Sequence, residues 1–256
     1  MKTQQRLHTT QAGFGLVELM ISMLIGLFLL GGMMTVFITN KQAYRYQQSQ
    51  GSQHDHERLA TVLFGHVLRQ AGHTPMNLDA LAGKAVALPA DATFTTPGQA
   101  ITGSSATHSV SYKIKTGTVT ETFDNDSVTI RYIGDSGLVS CLGQDVALNE
   151  TRTETFALSN NVLRCSSNDG SSTDTVDLIG DIHAPQEQQL KVLGLRILYG
   201  IDSDNNGSID LYKRAADVAD WTTISAIDME ITFQSGLRRP QTTHFTTNLP
   251  NVNGFI

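Results

Sequence analysis

Residues 13–38 read GFGLVELMISMLIGLFLLGGMMTVFI, and their reading decides how the chain is built. From Leu19 to Ile38 there are 20 residues without a charge. At about 1.5 Å of rise per residue that makes roughly 30 Å of helix, the thickness of a bilayer's hydrocarbon core. The residues ahead of it, MKTQQRLHTTQAG, are polar and carry Lys2 and Arg6 but no acid. Positive charge before an apolar run favours a cytoplasmic location for that end. A secretory signal carries its small-residue cleavage site after the apolar run. No such pattern follows Ile38; Gly13 stands before the run instead. Glu18 is the second departure, because a carboxylate beside an apolar span is costly unless it has a partner or a task. The residues allow two readings: a plain signal-anchor with Glu18 at headgroup level, or a processed span whose acid is used.

Gly13-Phe14-Gly15-Leu16-Val17-Glu18 resembles the cleavage motif of type IV prepilins: Gly, Phe, a variable residue, Leu, another, then Glu. The resemblance implies cleavage between Gly13 and Phe14 by an inner-membrane prepilin peptidase, with N-methylation of Phe14. It also implies that Glu18, fifth in the processed chain, pairs with the terminal amine of a neighbouring subunit during assembly. Two opposite charges in an apolar filament core are tolerable only together. Gly15 stands where such motifs often carry Ser or Thr, a mild departure.

Beyond Thr39, Leu59, Val62, Leu63, Val67 and Ala71 recur at helical spacing, with Phe64 and Leu68 widening the stripe. Gly72 and Pro75 then end the helix. The pattern predicts a nearly continuous helix from about Phe14 to Ala71, weakest near Gly51, whose second half packs its stripe onto a sheet. His54-Asp55-His56-Glu57 looks like a metal sequence, but residues two apart do not share a helix face, so a solvated face is the better reading.

Residues 73–256 read as β structure. Ser109–Lys115 and Ser127–Ile133 alternate, and 154–158 and 162–165 flank Asn160-Asn161, a hairpin signal. Strand 190–199 is expected to place Leu193, Leu195, Ile197 and Tyr199 on one face, and 222–233 makes another long strand. Residues 74–103 read as loop. Leu68-Arg69-Gln70-Ala71-Gly72, the cysteines in Cys141-Leu142-Gly143 and Leu163-Arg164-Cys165, and Leu198-Tyr199-Gly200-Ile201-Asp202 followed by Asp220-Trp221 resemble segments of PilW-type minor pilins. The tail from Pro240 to Ile256 departs from that resemblance and has no clear placement.

The net charge is −6, and the basic leader makes the remainder more acidic still. With no basic cluster, the composition argues against general nucleic-acid binding. Cys141 and Cys165 are the two cysteines. In an exported body they are expected to form a disulfide; in a reducing compartment they would be free thiols.

Asp202, Asp204, Asn206, Ser208 and Asp210 fall at alternate positions of a loop bent at Gly207, a pattern that suits a calcium ion. Lys213 stands where a bidentate Glu would complete such a loop, and an Asx/Gly hairpin turn wants the same residues. Gly134-Asp135-Ser136-Gly137 resembles a serine-protease nucleophile segment, yet a turn after a strand is the better reading. Trp221 reads as core packing.

The expected architecture is α+β: a long N-terminal helix, transmembrane and then amphipathic, packed on a mainly antiparallel β domain. Its expected parts are a leader at 1–13, a membrane or filament-core half at 14–39, an amphipathic half at 40–72 and a β-rich body at 73–256. The resemblance implies a low-copy structural subunit of a type IV pilus, without catalytic residues. It would be inserted in the inner membrane with its body periplasmic, then carried to the cell surface. Implied partners are other major and minor pilins, the prepilin peptidase and the inner-membrane assembly platform. A pseudopilin of a type II secretion system, or a ligand-binding module at a filament tip, are the alternatives.

Overall fold

The structure is a computed structural model that describes residues 15–75, 88–186 and 189–252, without the side chains at 45, 46, 48–50, 52–54, 56, 57 and 60. The cleavage pair Gly13-Phe14 and the end of the tail lie outside the described residues, as do the side chains of His54, His56 and Glu57.

One helix, α1 (Leu16–Leu68), runs 53 residues and stays helical through Gly51. It ends three residues before the expected Ala71. Residues 69–72 form turns, closed by Gly72 at φ +77, where the Gly72 N–H donates to the Arg131 carbonyl. A Cβ at Gly72 would lie 2.6 Å from the Asn251 carbonyl oxygen, so glycine is required there. The chain divides into two compact units, residues 1–51 and 52–256.

Within the second unit, the last turns of α1 enter the core through Phe64, Val67 and Leu68, followed by Ala71. The predicted stripe is rotated: Phe64 and Leu68 are its centre, Leu63 is half-buried, and Leu59 and Val62 are exposed. Phe64 fixes this rotation by packing on Phe156 and Phe245, with ring centroids 4.7 and 5.3 Å away.

The body contains three antiparallel groups of strands. The first sheet has the order β1 (Ile101–Ser104), β4 (Ser127–Ile133), β5 (Thr151–Ser159), β6 (Val162–Asn168), β7 (Thr173–Ile179). The second has the order β11 (Gln241–Asn248), β10 (Ile224–Ser235), β8 (Leu190–Ile201), β9 (Leu211–Lys213). β2 (Thr107–Ile114) and β3 (Gly117–Asp124) pair with each other as a separate ribbon. Asn160 and Asn161, both at positive φ, turn β5 into β6 with Ser159 opposite Val162, as the sequence indicated. β1 arises inside the region read as loop, and β11 places eight residues of the tail, all paired with β10.

One bulge corrects the sequence pattern. In the pairing of β8 with β10, Gly194 faces Thr232 and Val192 faces Phe233, leaving Leu193 as the extra residue. The alternation changes phase there. Leu195, Ile197 and Tyr199 join Val192 in the main core, whereas Leu193 is buried with Val110 and Tyr112 of β2. The main core draws on α1 and both larger sheets.

Candidate functional sites

The first site is the helix start. Glu18 lies in the first turn of α1 and is exposed. A carboxylate in a first turn faces the unsatisfied N–H groups of the helix end, which favour negative charge. From Leu16 to Tyr44 the helix has 29 residues of membrane-spanning length and composition, more than the roughly 30 Å of hydrocarbon needs. Leu24, Phe28, Leu29, Met33, Val36 and Phe37 are all exposed. Between Leu19 and Thr39 the hydroxyls are folded back: those of Ser22, Thr35 and Thr39 donate to the carbonyls of Glu18, Gly31 and Thr35. Up to Thr39 the helix therefore presents almost nothing but hydrocarbon, with one acid at its head and Lys41 just beyond that stretch.

The second site is the cysteine pair. Cys141 and Cys165 form a disulfide, their Cα atoms 6.3 Å apart, and no described cysteine is free. It ties β6 to the loop 134–150. Against it stands Glu154 of β5, wholly buried. Its Oε1 accepts hydrogen bonds from Tyr132 Oη (3.1 Å) and Ser167 Oγ (3.0 Å). Its Oε2 lies 2.7 Å from the Cys141 sulfur and 3.4 Å from that of Cys165. Burial pushes the Glu154 carboxyl above the usual range, against the lowering effect of its hydroxyl donors, the Cys141 backbone N–H and Arg152. The neighbouring Tyr132 hydroxyl is also pushed up, first by burial and then by Glu154. A signal for Glu154 was present: in β5 it falls in the same inward phase as Arg152 and Phe156.

The third site is the loop 202–210 between β8 and β9. Asp202 is buried and accepts from the N–H groups of Asn206 (3.1 Å) and Gly207 (2.8 Å). Asp204 accepts from Asn206 Nδ2 at 2.8 Å, and Asn206 Oδ1 accepts from the Ser208 N–H at 2.8 Å. Asp210 accepts from the hydroxyl and N–H of Ser203, which hold its carboxyl below the usual range. One carboxylate oxygen from each of Asp202, Asp204 and Asp210 lies within 4.8 Å of the others. Such a set offers hard oxygen ligands. The loop also satisfies the demands of a hairpin turn, with Asn205 and Gly207 at positive φ. Lys213 pairs across to Tyr199 as part of β9, so position 12 of the calcium pattern belongs to a strand.

The remaining candidates are structural. Gly134-Asp135-Ser136-Gly137 is the predicted turn, with the Ser136 N–H donating to Asp135 Oδ1. Trp221 is half-buried and meets Tyr199 edge-on at 4.8 Å. Two buried anchors escaped the sequence reading. Arg131 crosses to the carbonyls of Pro89 and Gln99 and stacks 4.4 Å over Phe94, pinning residues 88–99 to β4. Asp126 accepts from the Ile197 N–H and is paired with Arg214 at 2.5 Å, tying the β3–β4 turn to β8.

Residues 8–34 match the family profile described as the prokaryotic N-terminal methylation motif, a match that includes Gly13, Phe14 and Glu18. No curated protein sequence matches the chain. Among solved structures, a type IV-like pilin from Thermus thermophilus aligns with 78% of this chain and 98% of its own, at 11% identity and a TM-score of 0.44.

Proposed function

We propose that the chain is a minor pilin: a low-copy structural subunit, resembling the PilW type, that helps start assembly of a type IV pilus. The observation that carries this reading is the methylation motif at residues 8–34 continuing into a fully exposed apolar span headed by Glu18. In this reading the leader is removed between Gly13 and Phe14 and Phe14 is methylated. The span holds the chain in the inner membrane until extraction. There its exposed apolar face exchanges lipid for the helices of neighbouring pilins. Glu18 supplies the negative partner for a neighbour's terminal amine, an interaction strengthened by the absence of water. The body, stiffened by its disulfide, remains outside the cytoplasm.

The test is genetic, in the native host. Deletion is expected to abolish surface pili and twitching. Glu18→Ala is expected to give a chain that is processed and membrane-inserted but absent from sheared filaments. Normal piliation in the deletion strain overturns the proposal, and lost exoprotein secretion with normal piliation assigns the chain to a secretion pseudopilus instead.

A second reading concerns the 202–210 loop, which is proposed to hold a weak, structural calcium ion. What supports it is the convergence of the Asp202, Asp204 and Asp210 carboxylates.

A further inference from the structure

The same loop contains an Asn-Gly step whose surroundings resemble a small reaction site. Asn206 is exposed and precedes Gly207, which stands at φ +85 and has no side chain to hinder approach. Three contacts surround the Asn206 amide. Its Oδ1 accepts from the Ser208 N–H at 2.8 Å, an Asx turn that spans the Gly207 peptide. The Gly207 N–H donates to Asp202 Oδ2 at 2.8 Å. The Asn206 Nδ2 donates to Asp204 Oδ2, also at 2.8 Å.

We propose that Asn206 is a site of self-modification: the loop catalyses its own deamidation through a succinimide. The Gly207 nitrogen attacks Asn206 Cγ while the Asp202 carboxylate takes the proton from that nitrogen. Negative charge gathers on Oδ1, where the Ser208 N–H is already placed to receive it. The N–Cγ bond forms and the Cγ–Nδ2 bond breaks. The proton taken by Asp202 returns to Nδ2, which leaves as ammonia while Asp204 holds it in line. Water then opens the ring at either carbonyl and leaves aspartate or isoaspartate at position 206. Nothing is oxidised or reduced. The base, the oxyanion donor and the leaving-group partner are all fixed by one hairpin turn, so reaching the reacting geometry costs little entropy. The aspartate product adds a fourth carboxylate beside Asp202, Asp204 and Asp210. Any effect of that on calcium rests on the calcium reading; the conversion itself does not.

The experiment uses the full chain in detergent micelles with a calcium chelator, incubated at neutral pH and digested at intervals. Mass spectrometry follows replacement of the amide by a hydroxyl, and fragmentation separates Asn206 from the chain's other Asn-Gly pair, Asn253-Gly254. Wild-type chain is compared folded and unfolded in urea. Asn206 is expected to convert on the order of tenfold faster in the folded chain, a modest share of what a positioned base can supply. Asp202→Asn is expected to bring the folded rate down to the unfolded one. Equal rates, or an Asn206 that survives in the folded chain while it converts in urea, overturn the proposal. That comparison needs only the wild-type chain, so it stands even if the variant misfolds.

Discussion

Glu154 and Cys141 meet inside the body with no water between them: carboxyl Oε2 lies 2.7 Å from the sulfur, and the glutamate is wholly buried. Oε1 accepts two hydroxyl donors, whereas Oε2 faces the disulfide sulfurs. Burial favours the neutral form and raises the carboxyl from its ordinary value of 4.5.

The sign of the resulting pH dependence follows. A group whose folded pKa is raised contributes stability that is complete below its unfolded pKa and is lost as pH rises through the folded value. Wild-type chain is therefore expected to lose resistance to urea as pH climbs above the ordinary carboxylate value of 4.5. Glu154→Gln keeps a neutral hydrogen-bonding side chain and is expected to give a flatter profile. Denaturation midpoints in micelles across this range measure both; parallel profiles would remove Glu154 from the explanation.

The Cys141–Cys165 bond closes a separation of 24 residues. Constraint of the unfolded chain by a loop of that size is worth about 3 kcal/mol. Cys141→Ser with Cys165→Ser is expected to lower unfolding free energy by about this amount, read from urea titration. Adding a reductant to the double variant should change nothing further.

Phe64 is completely buried between Phe156 and Phe245, whereas Val62, two residues earlier, is 62% exposed. Phe64→Ala is expected to cost about 3–5 kcal/mol through lost contacts and the cavity left behind. Val62→Ser is expected to stay within about 0.5 kcal/mol of wild type. Equal effects would mean that the helix packs with its stripe in the rotation the sequence first suggested.

For the 202–210 loop, calorimetry on the full chain should show calcium heat only at millimolar concentration, a weak-site range of about 10⁻³ M. Asp202→Ala should abolish it, because Asp202 is the buried member of the carboxylate set. No heat in the wild type ends the calcium reading without touching the proposed pilin role.

Much of the fold was legible because local rules govern it. The apolar run needs no tertiary partner to be read as a span, and Asn160-Asn161 needs only a positive φ at both positions to turn a hairpin. The candidate calcium loop was likewise visible as a spacing of acids and a glycine. Other features are legible only in part. Gly103 falls at the end of the stretch read as loop, yet it lies in β1 and a Cβ there would collide with the Tyr199 hydroxyl, contributed by a distant strand. β1 is four residues of ITGS, a strand only because β4 offers it an edge.

The sequence by itself determined the helix start: a polar basic stretch, a methylation-type motif and an uncharged helix of membrane-spanning length, because length, charge and helical rise are properties of one segment. It also marked the two cysteines and most strands. Only the tertiary structure decided which helix residues enter the core, that Leu193 leaves the phase of its strand, and that Glu154 faces the disulfide. Each of these depends on which atoms other segments place opposite: the aromatic pair around Phe64, the register of β8 on β10, and the hydroxyls and sulfurs that make a buried carboxyl tolerable.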